Sequence, residues 1–300
     1  MNTLPVIAAV DGSADSLRAL DWAVGAARAR GAALRVAHVR QYAAWGQTDV
    51  LVAGPPDTGE DPVLKGARDH LASRADAPPT DYLGLDGAPG AVLPELGADA
   101  GLLVLGSRGR GGFASLLLGS IGLAAARDAP CPVVVVPRPG REVPEGPVPP
   151  GSGPRVVVGL NVDSPDEATL AFAFEEAARR GARLQVLAAY PWPMQTWAAG
   201  QVVAPVIDET AVADDTRVLA DGFLAPHRGR RPEVRAEPYV VPGDAAGQLV
   251  AASRDADLVV VGRHRRRLLA PARMLGSVTH AVLLHAAAPV AVVPPSPAEE

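Results

Sequence analysis

The chain is written twice, and that duplication limits its fold more than any other feature. Val6-Ile7-Ala8-Ala9-Val10-Asp11 matches Val156-Val157-Val158-Gly159-Leu160-Asn161 at an offset of 150 residues. The same offset lays Arg30-Gly31-Ala32 onto Arg180-Gly181-Ala182, and the run 34–39 onto 184–189. Farther along, 102–106 pairs with 258–262 at an offset of 156. Pro132-Val133-Val134-Val135-Val136-Pro137 pairs with Pro289-Val290-Ala291-Val292-Val293-Pro294 at 157. Solenoid repeats run only about 20–50 residues, so a unit this long must bury a core of its own. Two domains of roughly 140 residues each suit the length. Their expected limits are 1–138 and 155–300, joined by a linker over 139–154. Residues 138–154 hold six prolines and four glycines, a composition that sustains neither helix nor central strand.

Each half alternates strand and helix and ends on a fifth strand. In the first half strands are expected near 5–10, 33–39, 81–86, 101–106 and 131–137. The first, fourth and fifth are unbroken runs of Val, Leu, Ile and Ala, the pattern of strands covered on both faces. The third is weaker and suits an edge. Leu17, Leu20, Val24 and Ala27 place apolar groups on one face of the intervening helix. The second half repeats the pattern near 155–161, 183–190, 234–241, 257–262 and 289–294, with Pro238 marking its third strand as an edge. Right-handed crossovers then give an α/β fold of two tandem doubly wound domains, each with a parallel sheet. Residues 41–61 and 191–207, with Trp45, Trp192 and Trp197, read as loops capping the sheets.

Several functions are disfavoured early. No apolar stretch approaches the ~18–20 residues of a membrane span. The first residues run straight into a strand, without a basic and apolar leader, so a cytoplasmic location is expected. Cys131 is the sole cysteine, which leaves no internal disulfide, and its apolar surroundings suit a buried, inert thiol. The net charge of −5 divides as −2, −1 and −2 over the first half, the linker and the second half. That even spread argues against a nucleic-acid partner. The six histidines show no i, i+4 pair, so no metal site is expected. Lys65 is the one lysine and follows no glycine loop, which removes a P-loop NTPase.

The chemistry concentrates after the fourth strand. Gly106-Ser107-Arg108-Gly109 ends an apolar run, and Gly119-Ser120 follows nine residues later, ahead of a helix at Leu123 to Arg127. Glycines there let backbone N–H groups approach a ligand, and a helix N-terminus favours anions. The spacing G-x2-G-x9-G-S therefore reads as a phosphate cradle, with Arg108 and Arg110 beside it. Turn chemistry alone would explain the glycines less completely.

With the opening Val10-Asp11-Gly12-Ser13 and the later Ser16, Ala19, Leu20, Trp22 and Ala23, this spacing resembles the universal stress protein family in tandem form. The resemblance spans nearly the whole chain. It implies strand order 3-2-1-4-5 in each five-stranded sheet, which brings the loops after strands one and four into one crevice. It also implies ATP as the ligand of the first domain, with magnesium admissible beside it. Asp11 would hold the adenosine end and the backbone of Val39 would meet the adenine. Gly106, Gly109, Gly119, Ser120 and Ile121 would hold the phosphates. Gly122 departs from the family's second hydroxyl, leaving hydroxyl contacts to Ser120. A regulatory or stress-response role follows, with at most slow ATP hydrolysis and no dedicated catalytic residue. Two alternatives stand beside it. Gly12, Asp15 and Ser16 partly match the pyrophosphate loop of ATP pyrophosphatases, and a dimerising scaffold would bind no nucleotide. Pairing of the two halves through their fifth strands is expected, and a homodimer is left open.

The second half departs further. Asn161, Val162 and Asp163 replace Asp11, Gly12 and Ser13, and Arg265 replaces Gly109. Gly276-Ser277-Val278-Thr279 nevertheless keeps the complete family ending, next to Arg263, His264, Arg265, Arg266, Arg267 and Arg273. One ATP per chain is expected, with the second pocket empty or holding a small anion such as phosphate.

Overall fold

A computed structural model of the chain describes residues 3–41, 60–109, 117–144, 153–190, 196–198, 201–203, 208–263 and 275–296. The chain divides into two compact units, Met1–Arg138 and Pro139–Glu300. Most of the loop over 41–61 lies outside the described residues, as do Arg110, Arg265 and Arg273.

In the first unit the elements are β1 (Val6–Ala9), α1 (Ala14–Arg30), β2 (Leu34–Arg40), α2 (Pro62–Ala72), β3 (Thr80–Asp86), α3 (Pro89–Leu96), β4 (Leu102–Gly106), α4 (Ser120–Asp128) and β5 (Val133–Val136). The strands lie in the order β3-β2-β1-β4-β5 and all pair in parallel. The central strands β1 and β4 are fully covered, and Ile7, Leu34, Leu102 and Leu103 are among the largest buried side chains. Each such side chain stabilises the unit by roughly 1.5–3 kcal/mol relative to exposure. Leu20 and Val24 of α1 reach the same core, which is why that helix shows its apolar stripe. Gly31 stops α1 in a left-handed conformation (φ 59°), its N–H returning to the carbonyls of Ala27 and Arg28.

The second unit repeats the design as β6 (Arg155–Gly159), α5 (Glu167–Arg180), β7 (Arg183–Tyr190), β8 (Thr196–Ala198), β9 (Gln201–Val203), α6 (Glu209–Arg230), β10 (Ala236–Pro242), α7 (Ala245–Ala252), β11 (Leu258–Gly262), α8 (Ser277–His285) and β12 (Val290–Val293). Its order, β10-β7-β6-β11-β12, is the same 3-2-1-4-5. Gly181 stops α5 as Gly31 stops α1. The segment 191–207 differs from the expected plain loop, because β8 and β9 pair antiparallel, Trp197 opposite Val202. Trp and Val carry strand propensity. α5 also begins later than α1, with 14 residues against 17. Pro165 precedes Asp166, which caps the helix where Ser16 stands inside α1.

Candidate functional site

In the first unit the chain leaves β1 toward β2 on one side and β4 toward β5 on the other. Because β1 and β4 are paired neighbours, with Val6 opposite Leu102, the loops after them open onto the same crevice. The Asp11 loop is tightly organised. Asp11 Oδ1 accepts from the Ser13 N–H at 3.0 Å and from Ser13 Oγ at 2.6 Å. Ser13 Oγ in turn accepts from the Ser16 N–H at 3.2 Å and so caps α1. Gly12 supports the turn at φ 79°, where side chains are strained.

Gly109 meets this loop from the β4 side. A Cβ added there would lie 2.5 Å from Asp11 Oδ2, so the two loops touch and leave no room for a side chain. Gly106 is glycine for a different reason. Its Cβ would fall 2.7 Å from both the carbonyl carbon and oxygen of Asp15, inside the first turn of α1. The first glycine of the motif thus serves packing of the helix on the sheet, whereas the second borders the crevice.

The loop closes on α4. Ser107 is buried, its N–H donates to the Val136 carbonyl at 2.9 Å, and its own carbonyl accepts from the Gly119 N–H at 2.9 Å. Gly119 caps α4 without a side chain. Leu123 N–H is the donor that reaches back to the Gly119 carbonyl, at 3.2 Å. The N–H groups of Ser120, Ile121 and Gly122 therefore point out of the helix end, as an anion site requires. The Ser120 side chain is exposed there.

Val39 sits at the other end of the crevice. Val10 N–H donates to the Ala37 carbonyl at 2.9 Å. By the two-residue period of a strand, the Val39 peptide faces the same way, beyond the last paired residue of β1. That direction presents backbone rather than side chain. Of the sequence-derived residues, the structure brings Gly109 against Asp11 and Gly119 against Ser107 at the start of α4 with Ser120 and Ile121, sets Val39 at the end of β2, and packs Gly106 on α1.

Sequence reasoning missed the underpinning. Asp15 is 2% exposed, and its carboxylate is held by Arg18 and by Arg138 Nε at 2.8 Å. Arg138 lies 123 residues away and carries no local signal. Ser16 Oγ donates to the Ser13 carbonyl at 2.8 Å and accepts from the Asp11 N–H at 3.3 Å. Asp15 and Ser16, the residues shared with the pyrophosphatase loop, are therefore engaged in building the start of α1. Near the ends of β2 and β3, His38 Nδ1 lies 2.7 Å from Asp61 Oδ2, and Asp61 caps α2. Burial acts to raise the Asp61 carboxyl. The His38 bond and the N–H groups of Leu64 and Val63 outweigh it, holding the group below its ordinary value.

The second unit keeps the space and changes the chemistry. A cavity of about 410 Å³ lies at the carboxyl ends of β6, β7 and β11, lined by Asn161, Asp166, Leu187, Leu249, Arg263 and Thr279 among others. That volume exceeds what a small anion fills. Asn161 Oδ1 accepts from the Asp163 N–H at 3.1 Å, which preserves the turn without the charge. A Cβ on Gly262 would lie 2.7 Å from Thr169 Oγ1 and 2.9 Å from Asp166 Oδ2, so the start of α5 packs directly on this glycine. Thr279 Oγ1 donates to the Gly262 carbonyl at 2.8 Å. The second hydroxyl of the motif therefore ties α8 to β11, a tether that Gly122 in the first unit forgoes. Of the basic loop only Arg263 is described, and it lines the cavity.

Among the described residues no helix is long and apolar enough to cross a membrane. The model of the Universal stress protein family matches residues 3–137 and again 154–294. Two universal stress proteins of Mycobacterium tuberculosis are each 32% identical to the chain. One alignment covers 96% of both proteins, the other 97% of this chain and 96% of the relative. In fold, the chain is similar to the crystal structure of a universal stress protein from Archaeoglobus fulgidus, with a TM-score of 0.61 and 17% identity over 98% of this chain and 99% of that one. Two family matches in series, on two sheets of the same strand order, mean that the chain belongs to the universal stress protein family and carries its domain twice.

Proposed function

We propose that the first unit binds ATP and that the protein acts as a cytoplasmic, nucleotide-responsive regulatory module. The observation that carries this reading is the meeting of Asp11 with Gly109 beside the open N-terminus of α4. A carboxylate suits ribose hydroxyls, which donate hydrogen bonds. The N–H groups of Ser120, Ile121 and Gly122 suit phosphate oxygens, which accept them. The Val39 backbone, turned toward the β1 side beyond the end of that strand, is left for the adenine. Magnesium, where present, would come with the nucleotide. A nucleotide-free scaffold would have no need for a glycine pressed against Asp11.

The second unit is the poorer ATP site. Asn161 offers no negative charge to the ribose. Affinity for a fluorescent ATP analogue tests the assignment. Asp11→Ala should weaken binding by roughly tenfold to a hundredfold, the usual worth of a charged hydrogen bond. Gly109→Arg should abolish it by filling the space against Asp11. Unchanged affinity in both variants would sink the reading.

A further inference from the structure

The walls of the second cleft are mainly hydrocarbon. Leu160 and Val261 stand at the ends of β6 and β11, Leu187 lies on β7, and Leu170, Leu249 and Val278 come from α5, α7 and α8. Leu249 lies across Gly159, where an added Cβ would meet its Cδ1 at 3.0 Å. The volume of about 410 Å³ falls in the range of small-molecule sites, roughly 300–1,000 Å³. Such sites share this composition, apolar walls with a few polar groups that orient the ligand.

Most polar groups at the edge of the cleft are spent within the protein. Asp166 accepts from the Ala168 N–H at 3.2 Å and from the Thr169 hydroxyl. Thr279 gives its hydroxyl proton to the Gly262 carbonyl. Among the described residues lining the cleft, Asp166 and Arg263 are the charged ones, and their charges offset each other. What remains are donors. Asn161 commits Oδ1 to the Asp163 N–H at 3.1 Å, which leaves the two protons on Nδ2. At α8 the His280 N–H is the one that returns to the Gly276 carbonyl, so those of Val278 and Thr279 point out of the helix end. Donors at the rim call for acceptors on a ligand. Balanced charge and hydrocarbon walls call for no net charge.

We propose that the second cleft binds a neutral, largely apolar small molecule that presents carbonyl or ether oxygens to Asn161 and the α8 end. Asp11 stands at the matching position of the first unit and offers acceptors alone, so the two units select different ligand chemistry. The inference rests on the second unit being the poorer ATP site and does not depend on ATP binding by the first. Fluorescence titration of the full chain with prodan, a neutral naphthyl ketone, provides the test, beside the analogue carrying a carboxylate in place of the ketone. Prodan should bind at one per chain, and the carboxylate at least tenfold more weakly. Ala245→Phe places a ring among the lining residues and should abolish prodan binding. Asn161→Asp keeps an acceptor for the Asp163 N–H but replaces the amide donors with a negative oxygen. It should weaken prodan about 3–10-fold, the worth of one hydrogen bond. Asn161 is exposed, so this variant decides the matter should Ala245→Phe fail to fold. No saturable prodan binding, a carboxylate that binds as tightly as the ketone, or prodan affinity unchanged in Asn161→Asp or in folded Ala245→Phe would each overturn the proposal.

Discussion

Replacing Gly106 by alanine separates packing from ligand binding in the first unit. The added Cβ would fall 2.7 Å from the carbonyl carbon and oxygen of Asp15, and 3.1 Å from its Cβ. Ordinary carbon contacts begin near 3.5 Å, so the overlap is more than half an ångström, and its partner is backbone that cannot rotate away. Overpacking of this kind costs about 1–3 kcal/mol. Alanine also restricts the unfolded chain, which returns about 0.4–1 kcal/mol. The net loss is then about 1–2 kcal/mol, or roughly 3–10 °C in the melting temperature of a unit this size. Gly25→Ala is the matched control. Gly25 lies inside α1, and a Cβ there meets nothing within 4 Å. Helix propensity should raise stability by about 0.5–1 kcal/mol at that site. Scanning calorimetry of the full chain reads both variants on the first unit's transition. A Gly106→Ala protein as stable as the wild type would refute the packing role given to this glycine.

Two further outcomes follow from individual bonds. Asp61 is held below its ordinary value, so its contribution is complete above the unfolded carboxylate value of about 4 and is lost as pH falls through the lower folded value. Asp61→Asn should flatten that part of the acid dependence, and an unchanged acid unfolding curve would contradict it. Thr279→Val removes the hydroxyl that donates to the Gly262 carbonyl and should cost about 1 kcal/mol or more in the second unit, read by urea unfolding. An unchanged midpoint would mean that the tether contributes nothing.

Much of the fold is legible because buried parallel strands cannot disguise themselves. β1, β4, β5, β11 and β12 are apolar throughout, since both faces are covered. Pro238 marks β10 as an edge for a reason visible in the ladder. Leu184 N–H donates to the Arg235 carbonyl, which sets the odd-numbered N–H groups of β10 toward β7 and the missing one of Pro238 outward. The glycine spacing located the loop but not the separate duties of its members. Gly106 answers to the backbone of α1 and Gly109 to a carboxylate, and only the folded chain distinguishes them. Arg138 on Asp15, and Thr279 on the Gly262 carbonyl, join residues too far apart for any local pattern. The β8–β9 pair escaped because three-residue strands among prolines and glycines leave almost no periodicity.

The reading of one working nucleotide site in a duplicated protein meets its most direct test in stoichiometry. Calorimetric titration of the full chain with ATP should saturate at one nucleotide per chain, and Asp11→Ala should remove that binding while Asn161→Ala leaves it intact. Saturation at two ATP per chain with equal affinities, or binding that survives Asp11→Ala and is lost in Asn161→Ala, would contradict it.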